Sequence, residues 1–167
     1  MAVEIERKFL VADDWSPPSD ARPTPLRQGY LTDPSAGTEI RLRGAGDREL
    51  MTVKRDRVTA GTSNVRDEVE FPLPDGVFAD LWPLTEGRRL TKLRYPVPIG
   101  PHLATVDVYT GQHAGLRVVE VEFDSEPAAA AFTPPSWFGS EVTGDPRYAN
   151  RLLAESLPAP HGGPGRH

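Results

Sequence analysis

The sequence predicts a mostly antiparallel β domain with a few short helices. Charged and apolar residues alternate with period two in one segment after another, and residues two apart on a strand share a face. The 18 prolines and 15 glycines of this 167-residue chain fall mostly between those segments, where turns belong. Helix start and stop signals border only brief stretches.

The opening segment VEIERKFLV places Glu4, Glu6 and Lys8 on one face of a strand and Val3, Ile5 and Phe9 on the other. Taken alone, that charged face reads as solvent-exposed surface. WSPPSDARPTP is a proline-rich loop, and LRQGYLT a short strand carrying Tyr30. Residues 38–43 and 50–55 form two strands around GAGD, a hairpin turn. Residues 64–73 alternate again. Asp75 is expected to cap a short helix bearing Phe78, Leu81 and Trp82, ended by Pro83 and Gly87. Strands follow over 91–97 and 104–109, then the turn GQHAG, with His113 expected at the surface. The last strand covers 117–123. Asp124 or Ser125 caps a brief alanine-rich helix through Ala131, and Asp145 before Pro146 starts a helix running to about Ser156. One domain over 1–157 is expected, with a disordered Pro/Gly/His tail over 158–167.

Composition narrows the chemistry. A formal net charge of −5 argues against a broad nucleic-acid surface. Cysteine is absent and the four histidines show no ligand spacing, which removes disulfides, thiolate zinc sites and cysteine nucleophiles. A metal would then be a hard cation held by carboxylates. No apolar run is long enough to cross a bilayer, and the charged opening strand is no secretory signal; the cytoplasm is the default location. No GxxxxGK[ST] loop is present. Trp15, Trp82 and Trp137, close to proline or glycine, read as packing anchors.

The opening pattern recurs. EIRLR sets Arg41 and Arg43 against Ile40 and Leu42, and MTVKR sets Lys54 against Val53. VRDEVEFPL aligns Arg66, Glu68 and Glu70 against Val69 and Phe71; LTKLRYPV aligns Lys92 and Arg94 against Leu93 and Tyr95. Asp107 and Tyr109 oppose Val106 and Val108, while Glu120 and Glu122 oppose Val119, Val121 and Phe123. Two architectures fit: a sandwich with charges facing water, or a closed barrel with charges inside and helices over its apolar exterior. Periodicity alone favours the sandwich. The polar faces are nearly pure in charge, however, and an interior so charged needs mutual pairing, water, metal or an anionic ligand. The chemistry that suits it is recognition of a metal-bound polyphosphate, with arginine and lysine on phosphate oxygens and carboxylates on the bridging cation.

Taken in order, these residues resemble the CYTH superfamily, the triphosphate tunnel metalloenzymes, in its short single-domain bacterial form. The resemblance begins at Glu4, Glu6 and Lys8 (ExExK) and continues through QGYL, EIRLR, TVK, RDEVEF, KLRY, VDVYTG and GLRVVEVEF to WFGSEVTGDPRYANRLLA. It implies a mainly β (α+β) fold, a closed antiparallel eight-stranded β-barrel tunnel with a charged interior and a few short covering helices. It also implies a divalent cation, Mg²⁺ or Mn²⁺, and a triphosphate-bearing small molecule as partner, without nucleic acid polymer or membrane; a homodimer is compatible.

By that resemblance Glu4, Glu6, Glu120 and Glu122 are metal-site carboxylates, with Glu68, Glu70 and Asp107 as secondary metal or water-positioning candidates. Lys8, Arg41, Arg43, Lys54, Lys92 and Arg94 grip phosphates, joined by Arg66. Lys8 and Tyr30 resemble a catalytic dyad, and a lysine crowded by cations releases its proton more readily. Arg7 and Arg117 are out of phase and stay off the site. Glu39 is expected to pair with a neighbouring cation, and Glu141 to act structurally at the barrel's rim. The expected activity is metal-dependent hydrolysis of inorganic triphosphate to pyrophosphate and phosphate. The alternatives are a class IV-type adenylate cyclase, a thiamine or nucleoside triphosphatase, and a non-catalytic polyphosphate-binding module.

Overall fold

Charge alternation on β1 (Ala2–Val11) sets the frame, because this strand pairs on both edges. The structure, a computed structural model, describes residues 2–155; the expected tail at 158–167 lies outside them. The remaining strands are β2 (Thr24–Tyr30), β3 (Thr38–Ala45), β4 (Arg48–Asp56), β5 (Asn64–Pro72), β6 (Arg89–Ile99), β7 (His102–Thr110), β8 (Arg117–Glu122) and β9 (Phe138–Glu141). They run in the order β5-β4-β3-β2-β6-β7-β8-β1-β9, and the further pairing of β5 with β1 closes eight of them into an antiparallel barrel. The first half of β1 pairs with β5, from Ala2 opposite Glu68 to Glu6 opposite Asn64. Its second half pairs with β8, from Glu6 opposite Glu122 to Leu10 opposite Val118. Strand β9 takes the edge that β5 leaves free, through Phe9 opposite Glu141 and Val11 opposite Phe138.

Closure overturns the sandwich that periodicity alone favours. A sandwich leaves edge strands, whereas a ring leaves none among its members, and the charged faces turn inward. Glu6 is 5% exposed and Lys92 1%, values no solvent face would show. The apolar faces form the outside. Phe9, Val106, Val119 and Val121 pack there with Phe138 and with Ala129 of α2 (Glu126–Ala131). Trp15 stacks on Trp137, ring centroids 5.6 Å apart, over the same wall. On β2 and β3, α1 (Val77–Leu81) and the 3-10 turn Trp82–Thr85 lie so close that a Cβ at Gly29 would meet Thr85 Oγ1 at 2.6 Å. Helices do not cover the whole exterior: Val3, Val69 and Phe71 remain exposed. No helix among the described residues is long and apolar enough to cross a membrane.

Inside, the inward faces of several strands end in apolar residues. Leu90, Tyr109 and Val118, with Leu10 against them, form one buried cluster with Val142, Tyr148 and Leu153. The C-terminal segment is thereby docked on the barrel interior.

Several local expectations need correction. Gly76, at φ +84°, is the residue before α1 and no side chain caps that helix, so Asp75 does not. Ser125 does cap α2, its side chain accepting a hydrogen bond from Ala128 N at 3.2 Å. The single helix expected from Asp145 is two pieces, a 3-10 turn over Pro146–Tyr148 and α3 (Asn150–Leu153), because Ala149 is extended between them. Strand β9 was not foreseen; FGSE is too short to show alternation. His113 is fully buried rather than at the surface, its Nε2 facing the Leu153 carbonyl and its ring edge-on to Tyr109.

Candidate active site

Strand register brings the ladders together. Pairing sets Lys8 beside Glu120 and Glu6 beside Glu122, Glu4 beside Arg66, and Lys54 between Glu39 and Glu68. The result is a cavity of about 410 Å³ inside the barrel. Every candidate site residue lines it except Lys92 and Asp107, which are buried in its wall. A smaller recess of about 320 Å³ adjoins it at Lys54, Asp56, Arg66 and Arg151.

The acidic side is crowded. Glu6 is pushed well above the usual carboxylate range by burial, then by the Glu120 charge beside it. Its side chain has no hydrogen bond or ion pair among the described residues. Glu122 is raised by burial, then by Glu4 and Glu120. Glu4 and Glu68 share a hydrogen bond, which drives their two pKa values apart. Burial raises Glu4, but the Glu68 contact and Lys54, 2.9 Å away, bring it down to about 2. Glu68 is pushed up to about 7 by that hydrogen bond and then by burial. Glu120 also suffers burial, yet Lys8, Lys92, Arg94 and Lys54 hold it well below its ordinary value. Among the described residues no three acidic or histidine side chains converge as metal ligands; instead Lys54 pairs with Glu4 and Lys8 with Glu120.

The basic side is short of anions. Arg43 makes no ion pair among the described residues; its Nε donates to Gln28 Oε1 at 3.3 Å. Burial, then Arg41 and Arg94, push it down to about 9. Arg41 donates through Nη2 to Thr52 Oγ1 at 3.1 Å and lies 3.7 Å from Glu70, while its buried Nε has no hydrogen-bond partner. Arg66 is neutralised: Glu39 lies 2.9 Å from its Nη2 and Asp56 3.0 Å from its Nε. Thr52 Oγ1 donates to Glu70 at 2.8 Å. Deeper in, Asp107 accepts a fork from Arg94 at 2.8 and 2.9 Å and stands 2.7 Å from Lys92 Nζ. Its carboxylate is fully engaged by these two cations.

Lys8 is not crowded by cations, so the physical argument for its deprotonation fails. Its Nζ lies 3.3 Å from Glu120 and donates to the Tyr148 carbonyl at 3.2 Å. Burial works against its charge, but Glu120 and Glu6 outweigh burial and hold the ammonium above its ordinary value. Lys92 is the lysine that fits the description: burial brings it down to about 7 despite Asp107, helped by Arg94 and Arg43. Tyr30 is buried, pushed up to about 12 by burial and then Glu39, and its hydroxyl oxygen accepts from Gln28 Nε2 at 3.0 Å.

Sequence reasoning missed one wall. Thr143, Asp145, Asn150 and Arg151 line the cavity from the irregular C-terminal segment. It also missed Gln28, which bridges Arg43 to Tyr30. The residues set aside are structural. Arg7 forks onto Glu141 at 2.9 and 2.7 Å and donates to the Ala129 and Phe132 carbonyls; Arg117 donates to the Trp15 and Ala12 carbonyls.

A raised carboxylate makes the folded state bind more protons than the unfolded chain between the two pKa values, so stability falls as pH rises through that window. For Glu68 the window runs from 4.5 to about 7; the depressed Glu4 has the opposite sign, and its contribution is lost only on acidification toward about 2. Glu6 and Glu122, both raised, act with Glu68. Without metal, the melting temperature is expected to fall from about pH 4.5 to about 7, and Glu68→Gln to shrink that fall. Scanning calorimetry in chelator decides it; an equally steep fall in the variant would remove Glu68 as its source.

A closed antiparallel barrel with opposed acidic and basic interior walls defines a polyanion-binding tunnel protein. The chain belongs to the CYTH domain family, whose model matches residues 2–133. It is 50% identical over 157 residues to an inorganic triphosphatase of Nitrosomonas europaea, covering 93% of this chain and 99% of that protein. An inorganic triphosphatase of Acetivibrio thermocellus is 36% identical over 159 residues, covering 93% and 96%. Among solved structures, a crystal structure of an inorganic triphosphatase superposes with a TM-score of 0.67 at 46% identity, covering 95% of this chain and 98% of that one.

Proposed function

We propose that the protein is a divalent-metal-dependent triphosphatase that hydrolyses inorganic triphosphate to pyrophosphate and phosphate, with Mg²⁺ or Mn²⁺ as the cation. One observation carries this reading: two arginines without adequate anionic partners face carboxylates pushed up by burial and then by one another, across a single cavity. The relatives named inorganic triphosphatases, matched along almost their whole length, support it.

The donor set fits a hard divalent cation, since carboxylate oxygens are its preferred ligands. Glu4, Glu6, Glu120 and Glu122 would hold it, with Glu68 and Glu70 alongside. When bound, such an ion would neutralise charge on phosphate oxygens. Lys54 and Lys8, paired here with Glu4 and Glu120, would be available to phosphate oxygens if those carboxylates held the ion, so no buried charge would be left alone. Arg41, Arg43 and Arg94 face the remaining oxygens, where planar donors suit phosphate. Positioning and charge stabilisation supply most of the rate in phosphoryl transfer. Lys8, held as an ammonium, serves as a phosphate ligand; carboxylates of the acidic wall orient the attacking water. Asp107 acts by holding Arg94 and Lys92.

The test offers triphosphate, ATP and thiamine triphosphate with Mg²⁺, with Mn²⁺ and in chelator, following phosphate and cyclic AMP. Phosphate release from triphosphate is expected to exceed that from both organic substrates and to vanish in chelator. Cyclic AMP without triphosphate turnover would establish a cyclase, and tight triphosphate binding without turnover a binding module.

A further inference from the structure

Asn150 borders the cavity from the first position of α3, beyond the span matched by the family model. It does not serve its own helix: the residue before α3 is Ala149 and no side chain caps it. Instead its Oδ1 accepts a hydrogen bond from the hydroxyl of Tyr109, a buried residue of β7 in phase with Asp107. The phenol O–H is the donor of that pair. The amide oxygen is thus committed to the barrel wall. The amide nitrogen, on the opposite branch of the same plane, has no hydrogen-bond acceptor among the described residues. An amide NH₂ can only donate, and a neutral donor lets a crowded basic wall bind phosphate without adding another positive charge.

We propose that Asn150 is a substrate-contacting residue of the tunnel. Tyr109 positions its amide, and Nδ2 donates a hydrogen bond to a phosphoryl oxygen of bound triphosphate. This rests on the triphosphatase reading above. Hydrogen bonds to charged groups are worth about ten- to a hundredfold in affinity, and that is the size of effect expected.

The experiment measures KM and kcat for triphosphate, together with calorimetric affinity for triphosphate, in wild type, Asn150→Ala, Asn150→Asp, Tyr109→Phe and the Tyr109→Phe/Asn150→Ala double variant. Asn150→Ala is expected to raise KM and Kd by about ten- to a hundredfold, with kcat changed much less. Asn150→Asp keeps the shape but replaces the donor with an anion, and is expected to bind more weakly still. Tyr109→Phe is expected to weaken binding less than either. In the double variant the Tyr109 effect should disappear, because the phenol acts only through Asn150. Wild-type affinity in Asn150→Asp would overturn the proposal, as would full additivity in the double variant. Should Asn150→Ala fail to fold, the isosteric aspartate variant decides alone. Should the wild type bind triphosphate without hydrolysing it, the triphosphatase reading falls while the affinities still judge Asn150. A wild type that does not bind triphosphate defeats both.

Discussion

Glu6→Gln is expected to lower triphosphate turnover about a thousandfold, which corresponds to a loss of about 4 kcal/mol of transition-state stabilisation, while leaving the metal-free protein at least as stable as before. The two halves of this result have one origin. Glu6 is buried and stands beside Glu120, and both push its carboxyl well above the usual range. That shift favours the protonated carboxyl in the metal-free protein, and glutamine is a close copy of that form. A cation in the tunnel needs the ionised form, which glutamine cannot supply. Phosphate release and calorimetry in chelator measure the two quantities separately. Turnover within tenfold of wild type would remove Glu6 from the metal set; a large drop in melting temperature without metal would show that its charge is needed for folding.

Asp107→Ala is expected to act on the fold, costing about 3–5 kcal/mol because it leaves buried cations uncompensated. Lys92 is fully buried, with Asp107 2.7 Å from its ammonium, and Arg94 spends its fork on the same carboxylate. Removing Asp107 also frees Lys92 to shed its proton, since burial already brings it to about 7. Denaturant unfolding should show the same loss with and without Mg²⁺. A loss seen only with the metal present would instead place Asp107 among the cation's ligands.

Phase was legible in the sequence because it is local. Alternation sorted Arg41, Arg43 and Lys54 from Ile40, Leu42 and Val53, and it set aside Arg7 and Arg117, which the structure ties to Glu141 and to loop carbonyls. Direction was not legible from spacing. A strand with one charged face reads the same whether that face meets water or a barrel interior, and the difference lies in β5 finding β1. Family resemblance supplied that direction. The surroundings of a single charge were hidden for a related reason: Lys8 meets Glu120 only through the register of two strands from opposite ends of the chain. Glu39, at the start of its strand, pairs with a cation as its position suggests, and that cation is Arg66. Asn150, Thr143 and Arg151 escaped because their segment is irregular, and without a period no face can be assigned.

The double pairing of β1 also orders events in time. During synthesis the first strand emerges long before β8, its partner along the Lys8–Glu120 register. Until then it can meet β5, which brings Glu68 to Glu4, but one edge stays open and Glu6 lacks Glu120 and Glu122. Contacts between distant parts of a chain form slowly, since loop entropy is lost before they can stabilise anything. The chemical centre is therefore the last part of the molecule to be assembled. Nascent chains halted before residue 117 will hold the basic ladder without Glu120 and Glu122, a state with exposed strand edges that invites association with other chains.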